Sequence, residues 1–500
     1  MTTPTALLYV AKEIRKAIYS IPSTKTDRLR EVPDMFDDLI FKIQRRFLHN
    51  YLKKSPEYYK NDQEKYLLKV FHKYASSVPA YAELLKEKGV DPASITSVDA
   101  FKRLPVIDKY DTFIKYEGRI SNLCVDGNLQ DVVSVLSSSG YSGRFAYGLI
   151  SKAEDEDGST MLDLYLDYRW HIFERRTLLI NCLPMGVKVA SKRTVVGDVS
   201  VRPDIAISLV RGFGKDFDQI IMIGENTFMK YTLEYGMEKG INWSDYNVRL
   251  IVGEESFPET YRTYMASLLR KDIDKADEII VGSSMGISEI GLSVFQESLD
   301  TIRIRRKIDA DPAMRKKYFG NVRFTPMIFN YVPMSVYVEQ QQKEGDEFPE
   351  FIFTPLSLKR KLPLIRYNSH DKGTHIQPGE DIKQFITTNL PLVAIYGRGD
   401  FIEVTGQRIY TEGVKEILYS NIDFAAKVTA NFLLPPGVHA QKPATLRLQL
   451  KKGIAPTAQL QKEAQDLISQ YYGDLLQIEL VEFDGMALDF ERKLPYLGSL

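Results

Sequence analysis

Cysteine is almost missing from this chain: two residues in 500, Cys124 and Cys182. That excludes a disulfide framework and a CxxC-type metal site, and it fits a reducing, cytoplasmic setting. Net charge is missing too. Lys and Arg number 66, as do Asp and Glu, so no global field draws the chain to nucleic acid or to an anionic membrane. The basic runs RIRRK (Arg303–Lys307) and KRK (Lys359–Lys361) then read as solvated faces or loops. No apolar run approaches the roughly 18 residues that would suggest a membrane span. The opening MTTPTALLYVAKEIRKAIYS breaks its apolar residues with Lys and Glu. It lacks the basic start, unbroken apolar middle and small-residue cleavage site of a secretory signal. The GxxxxGK[ST] spacing of a Walker A phosphate loop is absent from the Ser/Gly stretch Ser137–Phe145.

What is present is a globular composition, 44% hydrophobic and 11% aromatic. A chain of this length suggests about two to four folding units. Residues 1–70 read as a helical leader, because LREVPDMFDDLIFKIQRRFLHNYL places apolar residues at three- and four-residue steps. From residue 71 to 398, short apolar runs alternate with helix-length segments. VVSVL, TLLIN, QIIMIG, VRLIVG and EIIVG read as strands, and ENTFMKYTLEYGMEKG and ESFPETYRTYMASLLRK as helices between the last three. This alternation predicts an α/β fold: a large domain with parallel or mixed sheets flanked by helices, meeting ligands at strand C-terminal ends. Beyond YGRGDF (Tyr396–Phe401), residues 399–500 have their own pattern. VKEILYS and AQLQKEAQDLISQYY read as helices, ATLRLQL and LLQIELVEF as strands. That suffices for a small α+β C-terminal domain.

The stretch SSSGYSGRF, Ser137–Phe145, follows the apolar VVSVL run. Gly140 and Gly143 let the backbone approach a ligand and turn its N–H groups inward. Ser138, Ser139 and Ser142 add hydroxyls without bulk, and Arg144 a planar donor fork. Such a loop suits a polyphosphate; alone, it reads more readily as a flexible Ser/Gly turn. Its companions, in chain order, are GEESFPE (253–259), MGISEIG (285–291), PLIRYNSHD (363–371) and GRGDFIEVTGQRIYTEGVKEIL (397–418). Together these resemble the motifs of the adenylate-forming superfamily, the acyl-CoA synthetases and their relatives. FHKYASSVPAYAELLKEKGVDPASITSVDAFKRLPVIDKYD (Phe71–Asp111) and PLIRYNSHD resemble the phenylacetate-CoA ligase branch in particular.

The resemblance implies a two-step reaction. A small-molecule carboxylic acid attacks the α-phosphate of ATP, with Mg²⁺ as cofactor, giving an acyl-adenylate and pyrophosphate. Coenzyme A then displaces AMP. Relatives near this branch use an amine or a carrier-protein thiol instead, and a catalytically decayed nucleotide-binding homologue is a further alternative. A homodimer is left open. Neither nucleic acid nor a membrane is implied.

The same resemblance assigns roles. Ser138, Ser139, Gly140, Ser142, Gly143 and the catalytic Arg144 hold the pyrophosphate. Tyr141 and Ser142 stand where two threonines are usual, and Arg144 where lysine is usual. Gly253, Glu254, Glu255, Met285, Gly286 and Ser288 contact the nucleotide, with Met285 in place of an aromatic residue. Glu289 carries the Mg²⁺. Asp371 accepts the ribose hydroxyls, and Arg398 contacts ribose or phosphate. Asp400 is the hinge about which a mobile small domain turns, and Gly406 lies beside the thioester tunnel. Lys493, in LDFERKLPYLGSL, matches the adenylation lysine by position but lacks the usual Gly-Lys. His370 stands where glycine is usual and reads as a solvent-facing loop residue, since carboxylates are already ionised at neutral pH. Thr177–Ala190 and Gly224–Met229 fall where the family builds its acyl pocket, and their side chains suit an aromatic or other apolar acid.

Overall fold

The computed structural model describes residues 31–138, 145–184, 186–397, 399–441 and 443–498. Two long helices come first, α1 (Glu31–Leu52) and α2 (Pro56–Ser77). α2 begins where it does because the Ser55 hydroxyl accepts the Tyr58 N–H and Pro56 occupies the first turn, where no N–H is needed.

Next is a two-stranded ribbon, β1 (Val132–Ser137) and β2 (Tyr147–Ser151), paired antiparallel. The VVSVL run is therefore not a member of the parallel sheet. Its residues alternate half-buried and exposed, with Val133 and Val135 facing solvent, so one face only is covered.

The central sheet has eleven strands among the described residues. They are β3 (Thr177–Asn181), β4 (Val195–Asp198), β5 (Gln219–Glu225), β6 (Val248–Gly253), β7 (Val281–Ile287), β8 (Gly291–Gln296), β9 (Met327–Asn330), β10 (Val336–Gln341), β11 (Glu350–Pro355), β12 (Tyr367–Ile376) and β13 (Leu392–Gly397). Their order across the sheet is β10-β11-β12-β13-β9-β8-β7-β6-β5-β3-β4. β3 to β7 pair in parallel; from β7 outward to β10 every pairing is antiparallel.

The parallel half explains its own sequence. Ile220 and Met222 point to one face, packed with α4 (Pro203–Phe213), α5 (Asn226–Glu238) and α6 (Glu259–Leu268). Ile221, Ile223 and Ile251 point to the other, against Leu166 and Trp170 of α3 (Lys152–Trp170). A strand covered on both faces must be apolar at both parities, hence the unbroken runs QIIMIG and VRLIVG. The α/β expectation, with helices flanking a mixed sheet, is met.

Two basic runs are not solvated faces. Arg305, on α7 (Leu299–Asp309), is buried and donates to Glu259 and to the carbonyls of Phe257, Thr325 and Pro326. A helix turns successive residues about 100° apart, so Arg305 faces inward while Arg303 faces water. In KRK, Lys361 is buried beside Asp131 at 2.6 Å, and Arg360 donates to the carbonyls of Glu289 and Ile290.

The C-terminal hundred residues form two smaller sheets. β14 (Phe401–Val404), β15 (Gln407–Tyr410) and β17 (Val438–His439) make one; β16 (Val428–Leu433), β18 (Ala444–Leu450) and β19 (Leu476–Val481) make the other. The longer helices that accompany them are α8 (Thr411–Ser420) and α9 (Ala458–Tyr472). α8 is buried on most sides and packs on α6, where the Tyr419 ring lies 5.1 Å from Tyr261 and 5.8 Å from Tyr264. Among the described residues no helix is long and apolar enough to cross a membrane.

Candidate active site

The C-terminal ends of β6 and β7 open into one cavity of about 1010 Å³. β6 delivers Gly253, Glu254 and Glu255 to its edge. β7 delivers Met285 and then, at the turn into β8, Ser288 and Glu289. Gly286 is required in this turn by close approach: a side-chain carbon there would meet the Leu292 carbonyl oxygen at 2.6 Å. Gly148 of β2 is required for the same reason, because it presses on the backbone of Ser288. That contact seats the ribbon carrying Ser138 directly against the Glu289 turn.

Glu289 is buried yet lines the cavity. Both its oxygens are held. Ser288 Oγ donates to Oε2 and the Tyr367 hydroxyl to Oε1, each at 2.6 Å. Burial, with the negative charge of Glu289, drives the Tyr367 phenol far above its ordinary range, so it stays a donor at every physiological pH. Asp371, on β12, lines the same cavity and accepts the Ser369 hydroxyl at 2.7 Å. Ser138 lines it from the end of β1; its Oγ accepts the Ala146 N–H at 2.9 Å.

Lys493 reaches this wall from the far end of the chain. Its Nζ donates to the Glu254 carbonyl at 2.8 Å and lies 3.7 Å from the Glu254 carboxylate. Nearby residues hold it there. The Tyr496 hydroxyl donates to Glu255 at 2.8 Å, the Tyr496 carbonyl accepts the Leu434 N–H, and Lys415 of α8 donates to Glu255 at 2.9 Å. Burial would lower the Lys415 ammonium, but Glu255 and Glu412 hold it above its ordinary value. Glu225, behind this cluster, is pushed up to about 7 by burial and by the charge of Glu255.

Asp400 also lines the cavity, its carbonyl accepting the Thr411 N–H at 3.1 Å. Gly406 does not. It sits with Thr405 in the two-residue turn joining β14 to β15, both at positive φ, as a tight hairpin demands. Ser139, Gly140, Tyr141, Ser142, Gly143, Arg144 and Arg398 lie outside the described residues. His370 is half-exposed on β12, with ring nitrogens 3.2 Å from Asp108 and 3.5 Å from Glu350. Of the two segments expected around the acid, Leu183 and Val187–Ala190 line the cavity. Phe228 and Met229 are instead fully buried in the core of the parallel half.

Four residues at this site have no place in the motif assignments: Gly148, Arg360, Tyr367 and Lys415. Tyr367 lies within PLIRYNSHD and was open to notice there. Lys415 likewise lies within GRGDFIEVTGQRIYTEGVKEIL. Gly148 and Arg360 act on partners far away in sequence, and no local pattern marks them.

Comparison with known proteins adds the fold. No protein-family model matches the chain, and no curated protein does either. Solved structures do. A 2-hydroxyisobutyryl-CoA ligase in the postadenylation state, in complex with 2-HIB-AMP, aligns over 89% of this chain and 90% of its own, at 14% identity and a TM-score of 0.65. That ligase in the thioesterification state, with 2-HIB-AMP and CoA, covers the same shares at 15% identity and a TM-score of 0.52. In its open conformation the figures are 87%, 90%, 15% and 0.52. The chain thus has the fold of the adenylate-forming acyl-CoA ligases.

Proposed function

We propose that this chain joins a carboxylic acid with an apolar body to the α-phosphate of ATP, releasing pyrophosphate, and passes the acyl group to coenzyme A. The observation that carries the proposal is convergence. Ser138, Glu254, Glu289, Asp371 and Lys493 come from five separate segments and line one cavity. The 2-hydroxyisobutyryl-CoA ligase of similar fold has been seen with both an acyl-AMP and CoA, which supports the same two steps here. Sequence likeness at Phe71–Asp111 and Pro363–Asp371 favours the phenylacetate-CoA ligase branch.

In this reading Lys493 brings a cation to the nucleotide end of the cavity. A fixed charge in a site shielded from water stabilises charge that develops during the reaction. Asp371 takes the two ribose hydroxyls, for which a carboxylate has the acceptors. Glu289 is the seat for Mg²⁺. The fit is good: one carboxylate on the cavity wall, fixed in orientation by two hydroxyl donors, with phosphate oxygens to supply the remaining ligands. Mg²⁺, when bound, neutralises phosphate charge. Arg144 and its serine-glycine neighbours hold the pyrophosphate, and Arg398 the ribose or phosphate. Residues 399–500 act as a unit turning at Asp400 between the two steps. The higher TM-score to the postadenylation structure supports Lys493 standing in its adenylating position. Two buried, free cysteines suit a cytoplasmic location.

The test is exchange of labelled pyrophosphate into ATP across a panel of acids. Exchange that depends on an acid, followed by AMP release that depends on CoA, is the expected result. ATP binding without exchange for any acid would overturn the proposal. Exchange with no CoA-dependent turnover would move the second step to an amine or a carrier-protein thiol.

A further inference from the structure

The leader helix α1 is a wall of the cavity. Leu48 and Leu52 line it together with Glu289 and Lys493. Contacts to α3 and the turn beyond it fix α1 in place. Arg45 Nε lies 2.8 Å from Asp167, Phe41 stacks on Phe173 at 5.6 Å, and the His49 ring meets Tyr168 edge-on at 5.6 Å. α3 shows how far the cavity reaches. Glu154 in its first turn and Arg169 in its last both line the cavity. At about 1.5 Å rise per residue they are roughly 22 Å apart. Glu154 marks the nucleotide end, because Arg360 lies 3.7 Å from its carboxylate and donates to the Glu289 carbonyl at 2.8 Å.

The far end holds a cation that no carboxylate pairs with among the described residues. The Arg169 guanidinium lies 5.2 Å from the ring centroids of Tyr165 and Tyr168. Its Nε is buried and has no hydrogen-bond partner among the described residues, while the rest of the half-buried guanidinium reaches the Tyr165 hydroxyl. Two of the acids on this stretch of wall are engaged elsewhere, and Asp277 is exposed to solvent. Glu278 pairs with Arg175 and Arg249, and Asp300 accepts the N–H and hydroxyl of Thr387 at 2.7 and 2.8 Å. A desolvated donor without an acceptor is costly, and a planar guanidinium is matched best by a carboxylate.

We propose that the acid bound here is a long α,ω-dicarboxylic acid. Its chain lies along α3 under α1, one carboxylate at the nucleotide end and the other on Arg169. The adenylation reading enters only in saying which end reacts. An extended chain advances roughly 1.2 Å per bond, as a peptide backbone does. Tetradecanedioate then separates its carboxyl carbons by roughly 16 Å, within the roughly 22 Å that part Glu154 from Arg169.

The experiment is calorimetric titration of the full chain, without ATP, using tetradecanedioate and tetradecanoate. The dicarboxylate is expected to bind about tenfold tighter or more, the scale of a hydrogen bond to a charged group. Arg169→Gln should remove that preference, Arg169→Lys should keep part of it, and Leu48→Trp should weaken both ligands by filling the lobe. Equal affinities in the wild type, or a preference unchanged in Arg169→Gln, would overturn the proposal. Pyrophosphate exchange separates the two claims. Binding with the stated preference but no exchange upholds this proposal and overturns adenylation. Exchange with short aromatic acids, while tetradecanedioate neither binds nor reacts, overturns this proposal and upholds adenylation.

Discussion

Gly148→Ala tests the contact between the β1–β2 ribbon and the Glu289 turn. A methyl group at residue 148 would overlap the Ser288 carbonyl oxygen and stand 3.0 Å from its carbon, where ordinary contact begins near 3.4 Å. Both neighbours are backbone, so no rotamer change relieves the overlap. One of the two must move by about 1 Å, a displacement that in an active site costs on the order of 10²-fold in rate. The ribbon is the part that yields. It is two-stranded, and Val133 and Val135 on its outer face have no cover. Overpacking there costs about 1–3 kcal/mol of stability at most. The expected result is therefore a pyrophosphate exchange rate about 10²-fold lower with a small change in melting temperature. Gly212→Ala is the control. That glycine lies in the last turn of α4 with nothing within 4 Å of its added methyl, and the change should stabilise by roughly 0.5–1 kcal/mol. Exchange by Gly148→Ala within about threefold of wild type, or a loss that merely follows unfolding, would refute the reasoning.

Three more outcomes follow from the site. Lys493→Ala should lower pyrophosphate exchange by about 10²–10³-fold while leaving nucleotide binding measurable by calorimetry; an effect under tenfold would remove its assigned role. Glu289→Ala should lower exchange by a similar factor and raise the Mg²⁺ concentration needed for half-maximal rate, which a magnesium titration reads directly; Tyr367→Phe should shift the same titration by a smaller amount. Glu225, raised to about 7 by burial and Glu255, keeps a proton in the folded chain that the unfolded chain releases above its ordinary value. Stability contributed by that proton is full at low pH and is lost as pH rises through about 7. Glu225→Gln should flatten the decline in stability between pH 5 and 7 by up to about 1.4 kcal/mol per pH unit, measured by urea melts; an unchanged slope would exclude Glu225 as its source.

How much was legible depended on how local each signal is. TLLIN, QIIMIG and VRLIVG read as strands of an α/β sheet, and they are. VVSVL has the same composition but sits in an exposed ribbon, because burial is decided by what the rest of the chain lays on top. Glu289 and Asp371 were singled out through short motifs whose spacing a single turn or strand sets, and both line the one cavity. Lys493 had only its position to recommend it; what brings it to Glu254 is the anchoring of Tyr496 on Glu255 and Leu434, contacts spanning many residues. Arg305 and Arg360 were hidden for a related reason. A run of like charges looks solvated until a distant Glu259 or Glu289 backbone turns one member inward.

The packing of α8 on α6 has a kinetic consequence. Any swing of residues 399–500 about Asp400 would have to lift Tyr419 from between Tyr261 and Tyr264 and part Lys415 from Glu255. A large apolar interface resists relative movement. Under the proposed cycle, opening of that seam, slower than bond formation, would then govern turnover. Its rate would fall as solvent viscosity rises, and the tyrosine fluorescence would change once per cycle.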